Sequence, residues 1–148
     1  MLSHMPTIEE RFSAALHGSA RAWRLAVDRR LRHLGISQSS WMAIALTAKE
    51  KEPPSQTRLA NRVGVEDPTM VATIDRLVKA GYMVRTPSAT DRRVKLLSLT
   101  DAGWQVYDSV KQEADVVRAQ LLAQADPATL AIVTEFLEKM QGDIESAA

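Results

Sequence analysis

Two adjacent guanidinium groups, Arg92 and Arg93, follow Asp91 in a polar, turn-forming run from Pro87 to Arg93. A planar cation at the tip of a narrow loop can enter the minor groove of a duplex, where A·T-rich sequence concentrates negative potential. Upstream, Pro68, Thr69, Ala72, Thr73 and Arg76 recur at helical spacing, opposite Met70, Val71, Ile74, Leu77 and Val78. The second set is a core stripe, so the first is predicted to face solvent or a ligand. Thr69 and Thr73 suit thymine methyl groups or base edges, Pro68 offers only apolar contact, and Arg76 suits a phosphate or a base at the groove edge. Arg58, Arg62, Arg85 and Lys95 add cations suited to phosphate. A solvated turn is the alternative for Asp91, Arg92 and Arg93. The chemistry implied is recognition of double-stranded DNA, not bond making.

The elements that must position these groups are punctuated clearly. Ser55 is an N-cap for a short helix with Leu59, Ala60 and Val63, and Gly64 can supply its left-handed stop. Asp67 is predicted to cap the next helix, with Pro68 at its first position and Gly81 closing it. The period then changes to that of a strand, in Tyr82 to Thr86 and again in Val94 to Leu99. Thr100 is an N-cap for a long helix, its hydroxyl able to serve the open donor of Ala102 or Gly103. Helix, helix and basic-tipped hairpin in that order predict a winged helix-turn-helix.

The segments VEDPTMVATIDRLVKAGYMVR and ATDRRVKLLSLTDAG resemble the MarR family of bacterial transcription regulators, and Asp67-Pro68 with Trp41 upstream is similar to its SlyA branch. The resemblance runs from about Phe12 to Ile144. It implies a mainly α fold with a small β-hairpin wing (α+β), in which N- and C-terminal helices form a dimerisation region. It further implies a homodimer on an inverted-repeat operator, acting as a repressor or counter-silencer. Of the wing arginines Arg93 is the first choice for the minor groove, and Asp91 orients the pair. The family member most resembled has arginine where this chain has Ala72; without that bidentate guanine contact, recognition leans on DNA shape. A small aromatic acid is the implied effector, with Arg21, Arg24 and Trp41 as candidates to hold its carboxylate and ring. The alternative makes Trp41 core and both arginines surface or interface ion pairs.

The flanking helices fit this organisation. Thr7 and Glu10 form a capping-box pattern before Ile8, Phe12, Leu16, Trp23, Val27 and Leu31, which predicts a helix to about Leu34 ended by Gly35. A second helix is predicted from about Ser37 to Ala48, and Pro53-Pro54 separates it from the winged element. Thr100 to about Gln124 and Asp126-Pro127 to Ile144 complete the set. Residues 1–148 therefore read as a single chain with a winged DNA-binding region at 53–100 and dimerisation helices at 7–34 and 101–145. An intramolecular bundle is the alternative use of the terminal helices.

Bulk composition bounds the rest. The net charge is +1, but residues 56–95 carry eight bases against four acids, and 96–148 carry three bases against nine acids. Positive charge is thus richest in the winged element, in contrast to the acidic residues 96–148. Cysteine is absent, which removes disulfides, thiolate nucleophiles and cysteine-based zinc sites. His4, His17 and His33 are too scattered for a metal site, and no cofactor is expected. No nucleophile–base pair, glycine-rich phosphate loop or paired carboxylates in an evident cleft point to an enzyme. Trp23 and Trp104 read as packing residues. The apolar stretches fall short of a membrane span, so a cytoplasmic, nucleoid-associated protein is expected. The opening Met1 to Met5 resembles a vector-derived segment and is set aside. A winged-helix protein-interaction module is the alternative function, disfavoured by the cationic hairpin tip.

Overall fold

In the computed structural model the described residues are 3–147; Met1 and Leu2 of the set-aside opening lie outside them. Helix α1 (Ile8–Arg30) starts at the predicted capping box, in which Glu10 N donates to Thr7 Oγ1 at 3.2 Å and Thr7 N donates to Glu10 Oε2 at 2.8 Å. Its α-helical part stops short of Leu34. Leu31 N shares its proton between the carbonyls of Val27 and Asp28, the coil tightens to a 3₁₀ turn over Arg32–Leu34, and Gly35 ends it at φ +66°. Helix α2 (Gln38–Lys49) is capped by Ser37 and helix α3 (Gln56–Val63) by Ser55.

Helix α4 (Asp67–Lys79) begins one residue earlier than predicted. Its N-cap is Glu66, which makes no side-chain cap bond, and Asp67 lies in the first turn with Pro68. Proline is tolerated there because first-turn N–H groups lack intrahelical partners, and the Asp67 carboxylate still meets the positive end of the helix dipole. At the other end Tyr82 N donates to Leu77 O at 2.9 Å and Gly81 N to Val78 O at 3.0 Å. Only a left-handed residue makes that closure, and Gly81 supplies φ +83°.

The faces of α4 also need correction. Thr73, predicted to face outward, is fully buried, whereas Val71, predicted in the core stripe, is 38% exposed. At about 100° per residue, Thr73 lies nearer the middle of the Met70, Ile74 and Leu77 stripe than Val71 does. Its hydroxyl can enter the core because it is hydrogen-bonded there, donating to Thr69 O at 2.9 Å.

Strands β1 (Met83–Pro87) and β2 (Lys95–Leu99) pair antiparallel, from Met83 opposite Leu99 to Pro87 opposite Lys95. Tyr82 and Val94, predicted in the strands, lie in the flanking turns; Ser88 N donates to Val94 O at 2.9 Å to close the hairpin. A partial third strand escaped the sequence: Leu97 N donates to Pro54 O at 2.9 Å, and Ser55 bridges to Leu96.

Helix α5 (Asp101–Leu121) is capped as predicted, with Gly103 N donating to Thr100 Oγ1 at 3.0 Å. The same hydroxyl donates to Gly81 O at 2.6 Å, and Thr100 N donates to Tyr82 O at 3.1 Å. Helix α6 (Pro127–Ala147) follows Asp126, whose carboxylate accepts from Thr129 N at 3.0 Å.

The structure divides into two compact units, Met1–Asp115 and Val116–Ala148. In the first, Ala43, Ile44, Leu59, Ala60, Met70, Ile74, Leu77, Met83 and Leu97 form one buried cluster that joins α2, α3, α4 and both strands. The second holds α6, which has no buried residue; Ile132, Val133, Phe136 and Ile144 are all exposed.

Gly103 is the tightest point of the first unit. A Cβ there would clash with the Tyr82 carbonyl oxygen, far inside van der Waals contact, and would lie 3.3 Å from Leu99 Cβ. Because that oxygen also accepts from Thr100 N, it cannot retreat freely. Gly103→Ala is expected to destabilise by about 1–3 kcal/mol net, overcoming the roughly 1 kcal/mol that alanine gains within a helix. Urea titration checks this through the midpoint at constant slope; an unchanged or raised midpoint would contradict the packing described.

Candidate nucleic-acid interface

The outward face of α4 carries Pro68, Thr69, Ala72 and Arg76, all exposed. Arg76 leans back on the helix, one N–H donating to Thr73 Oγ1 at 3.3 Å. That hydroxyl also lies 3.0 Å from Ser39 Oγ of α2. Thr73 is thus excluded from direct contact with any outside partner. Ser39 gave no signal in the sequence beyond its place in the serine-rich start of α2.

At the hairpin tip, Asp91 holds Arg93 from three directions. Its Oδ1 accepts from Arg93 Nε and Arg93 N, both at 3.1 Å, and Oδ2 accepts from Nη2 at 3.2 Å. The side-chain bond to Arg93, and then the backbone bond, hold the Asp91 carboxyl below the usual carboxylate range. A carboxyl lowered in this way stays ionised through neutral and mildly acidic pH, and the contact is lost only as pH falls through the lowered value. The Arg93 side chain nevertheless remains 91% exposed. Arg92 is exposed beside it.

The other predicted phosphate contacts divide by partner. Arg58 donates to Glu50 Oε1 at 3.0 Å. Arg85 is half-buried, donating to Asp75 Oδ1 of α4 and to Gln56 Oε1 of α3. Arg62 and Lys95 are exposed, and among the described residues neither they nor Arg92 make an ion pair. Asp75 and Gln56 were not singled out in the sequence, because a long-range pair leaves no local periodicity.

The effector candidates are not alike. Trp41 is 8% exposed, with its indole N–H donating to Asp28 Oδ1 of α1 at 3.0 Å. Its ring is therefore a packing element and not an open stacking face, which corrects that part of the expectation. Arg21 and Arg24 are exposed on α1, at helical spacing from Asp28. An open cavity of about 270 Å³, missed in the sequence, is lined by Leu34, Ile36, Tyr82, Ala102, Gln105, Val106 and Ser109. None of the three candidates lines it. No cluster of histidine and carboxylate residues able to hold a metal occurs among the described residues, and no helix among them is long and apolar enough to cross a membrane.

This arrangement has close parallels. The family model described as "MarR family" matches residues 36–95, which take in α2, the helix-turn-helix, β1 and the hairpin tip, and stop at the start of β2. The solved structure of transcriptional regulator PA3341 is 34% identical, with 91% of this chain and 98% of that one covered and a TM-score of 0.83. CouR from Rhodococcus jostii RHA1, solved bound to p-coumaroyl-CoA, is similar in fold at 21% identity, 92% and 95% coverage and a TM-score of 0.77. NadR, solved in complex with 4-hydroxyphenylacetate, is likewise similar in fold at 22% identity, 95% and 96% coverage and a TM-score of 0.78. With the helix-turn-helix and the hairpin tip matched by the family and a regulator one-third identical along almost its whole length, the chain belongs to the MarR family of transcriptional regulators.

Proposed function

We propose that the protein is a sequence-specific regulator that binds an inverted-repeat operator as a homodimer, one copy of α4 in each of two successive major grooves. The observation that carries this reading is the exposed face of Pro68, Thr69, Ala72 and Arg76 in the same compact unit as the exposed Arg92 and Arg93. Thr69 meets base edges or thymine methyls, Pro68 and Ala72 give apolar contact, and Arg76 takes a phosphate or base at the groove edge. Arg93, oriented by Asp91, and Arg92 serve the minor groove. Arg62 and Lys95 lie against phosphates, and Arg58 and Arg85 join them only by exchanging their carboxylate partners for phosphate.

Two reading heads must stand roughly 34–36 Å apart to enter successive grooves, which requires a second subunit. The regions 7–34 and 101–145 are the proposed dimerisation helices. Ile8 of α1 is 67% exposed, and Ile132 and Ile144 of α6 are 68% and 62% exposed. Large apolar side chains at that exposure are the kind that a second copy buries.

Control is proposed to be repression or, following the SlyA-like reading of Asp67-Pro68 and Trp41, displacement of silencing proteins from A·T-rich promoters. A small aromatic acid is the proposed effector, by analogy with the ligands in NadR and CouR. Its carboxylate would meet Arg21 and Arg24, and Trp41 would respond through its hydrogen bond to Asp28 instead of stacking.

Selection of genomic fragments by the purified protein, followed by salt titration on a selected and a random duplex, tests the whole reading. Steep salt dependence with a sequence preference supports it, and no binding in dilute buffer rejects it. Arg92→Ala with Arg93→Ala is expected to abolish the preference and lower the salt slope by about 2 while leaving a folded dimer; unchanged operator affinity would refute the wing assignment. Ile132→Glu with Ile144→Glu is expected to shift sedimentation toward monomer and to weaken the operator complex together. A dimer unaffected by both charges would move the interface elsewhere. Salicylate is expected to release the operator from the wild type and not from Arg21→Ala/Arg24→Ala; equal release from both would place the effector away from α1.

A further inference from the structure

A threonine hydroxyl offers one proton and two lone pairs, and Thr73 uses all three. It donates to Thr69 O at 2.9 Å, lies 3.0 Å from Ser39 Oγ and accepts from Arg76 Nη2 at 3.3 Å. With its own proton committed to Thr69, the Ser39 hydroxyl must be the donor in the second contact. A residue of α2 thus reaches, through a fully buried hydroxyl, a cation on the outer face of α4.

We propose that Ser39 and Thr73 are positioning residues that set the direction of the Arg76 guanidinium and so determine operator specificity without touching DNA. The inference rests on the proposed DNA-binding role of α4. Arginine has many rotamers, and one tethered N–H leaves four donors aimed from a defined origin. A side chain ordered before binding loses less entropy on binding. Charge is unaffected by the tether, so nonspecific attraction to phosphate does not depend on it. Discrimination does, because a base contact needs direction where a phosphate contact needs mainly proximity.

Thr73→Val keeps the shape and removes the hydroxyl. Binding to the selected duplex is expected to weaken about five- to tenfold. Affinity for random duplex and the salt slope should stay at wild-type values, since the Arg76 charge is retained. Thr73→Ser should restore the preference, and Ser39→Ala, on a different helix, should give a smaller loss in the same sense even if Thr73→Val lowers the melting temperature. In an Arg76→Ala background both hydroxyl removals should have no further effect. Equal losses on selected and random duplexes, or losses of full size in the Arg76→Ala background, would mean that the hydroxyls only pack the core, and would overturn the inference. A wild-type protein with no sequence preference would remove the functional reading first, whereas a wild-type preference untouched by Thr73→Val and Ser39→Ala overturns the positioning role alone.

Discussion

The rotational setting of α4 about its own axis is the constraint on which the site depends. Met70, Thr73, Ile74 and Leu77 point inward, against a cluster supplied by α2, α3 and both strands. Full burial of each of the three apolar side chains is worth about 1.5–3 kcal/mol, so turning the helix by a single residue would forfeit most of that contact. Pro68, Thr69, Ala72 and Arg76 are outward because those four are inward. The proposed recognition surface is a consequence of core packing, and under that proposal a variant that rotates the helix would change specificity without altering any residue on the outer face.

A two-stranded hairpin is marginal by itself, and the wing is held by what it is attached to. Met83 and Leu97 anchor its base in the core, while Pro54 accepts a ladder bond from Leu97 N and extends the sheet by one partial strand. Thr100 joins the far side, with its hydroxyl and backbone N–H on the carbonyls of Gly81 and Tyr82. The end of α4, the start of β1 and the start of α5 therefore share one knot of hydrogen bonds, and Gly103 is the residue that lets α5 approach closely enough to tie it. The spacing of Thr100 and Gly103 has a local physical reason in this contact: threonine to cap and tether, glycine to clear the carbonyl.

What could be read from the sequence follows from how local each signal is. Caps at Thr7, Ser55 and Thr100 and the stops at Gly64 and Gly81 involve neighbours a few residues away, and they are present in the structure. Thr73 was misplaced because a polar residue at the edge of an apolar stripe is assigned outward by type. A hydrogen-bond acceptor one turn back, Thr69 O, and a hydroxyl on another helix, Ser39, make its burial acceptable, and the second of these is invisible to periodicity. Arg85 read as a surface cation for the same reason: its partners Asp75 and Gln56 come from α4 and α3. The indole of Trp41 needed Asp28, thirteen positions away on another helix, before its role as a packing residue was visible.

Charge at the interface is likewise more than a count of lysines and arginines. Arg58, Arg85 and Arg93 each have a carboxylate at hand, and Arg62, Arg92 and Lys95 make no ion pair among the described residues. Ion pairs at a solvated surface are weak, so an arriving phosphate can displace Glu50 or Asp91 at little cost. The displaced carboxylate then remains close to the duplex and opposes it. A paired arginine therefore adds less net attraction than an unpaired one at the same distance, even though both carry the same formal charge. In the proposed DNA complex this would make Arg92 the principal source of attraction and Arg93, still held by Asp91 at neutral pH, the principal source of direction. Under that proposal two adjacent residues of one type divide the work, because both oxygens of the Asp91 carboxylate are engaged by Arg93.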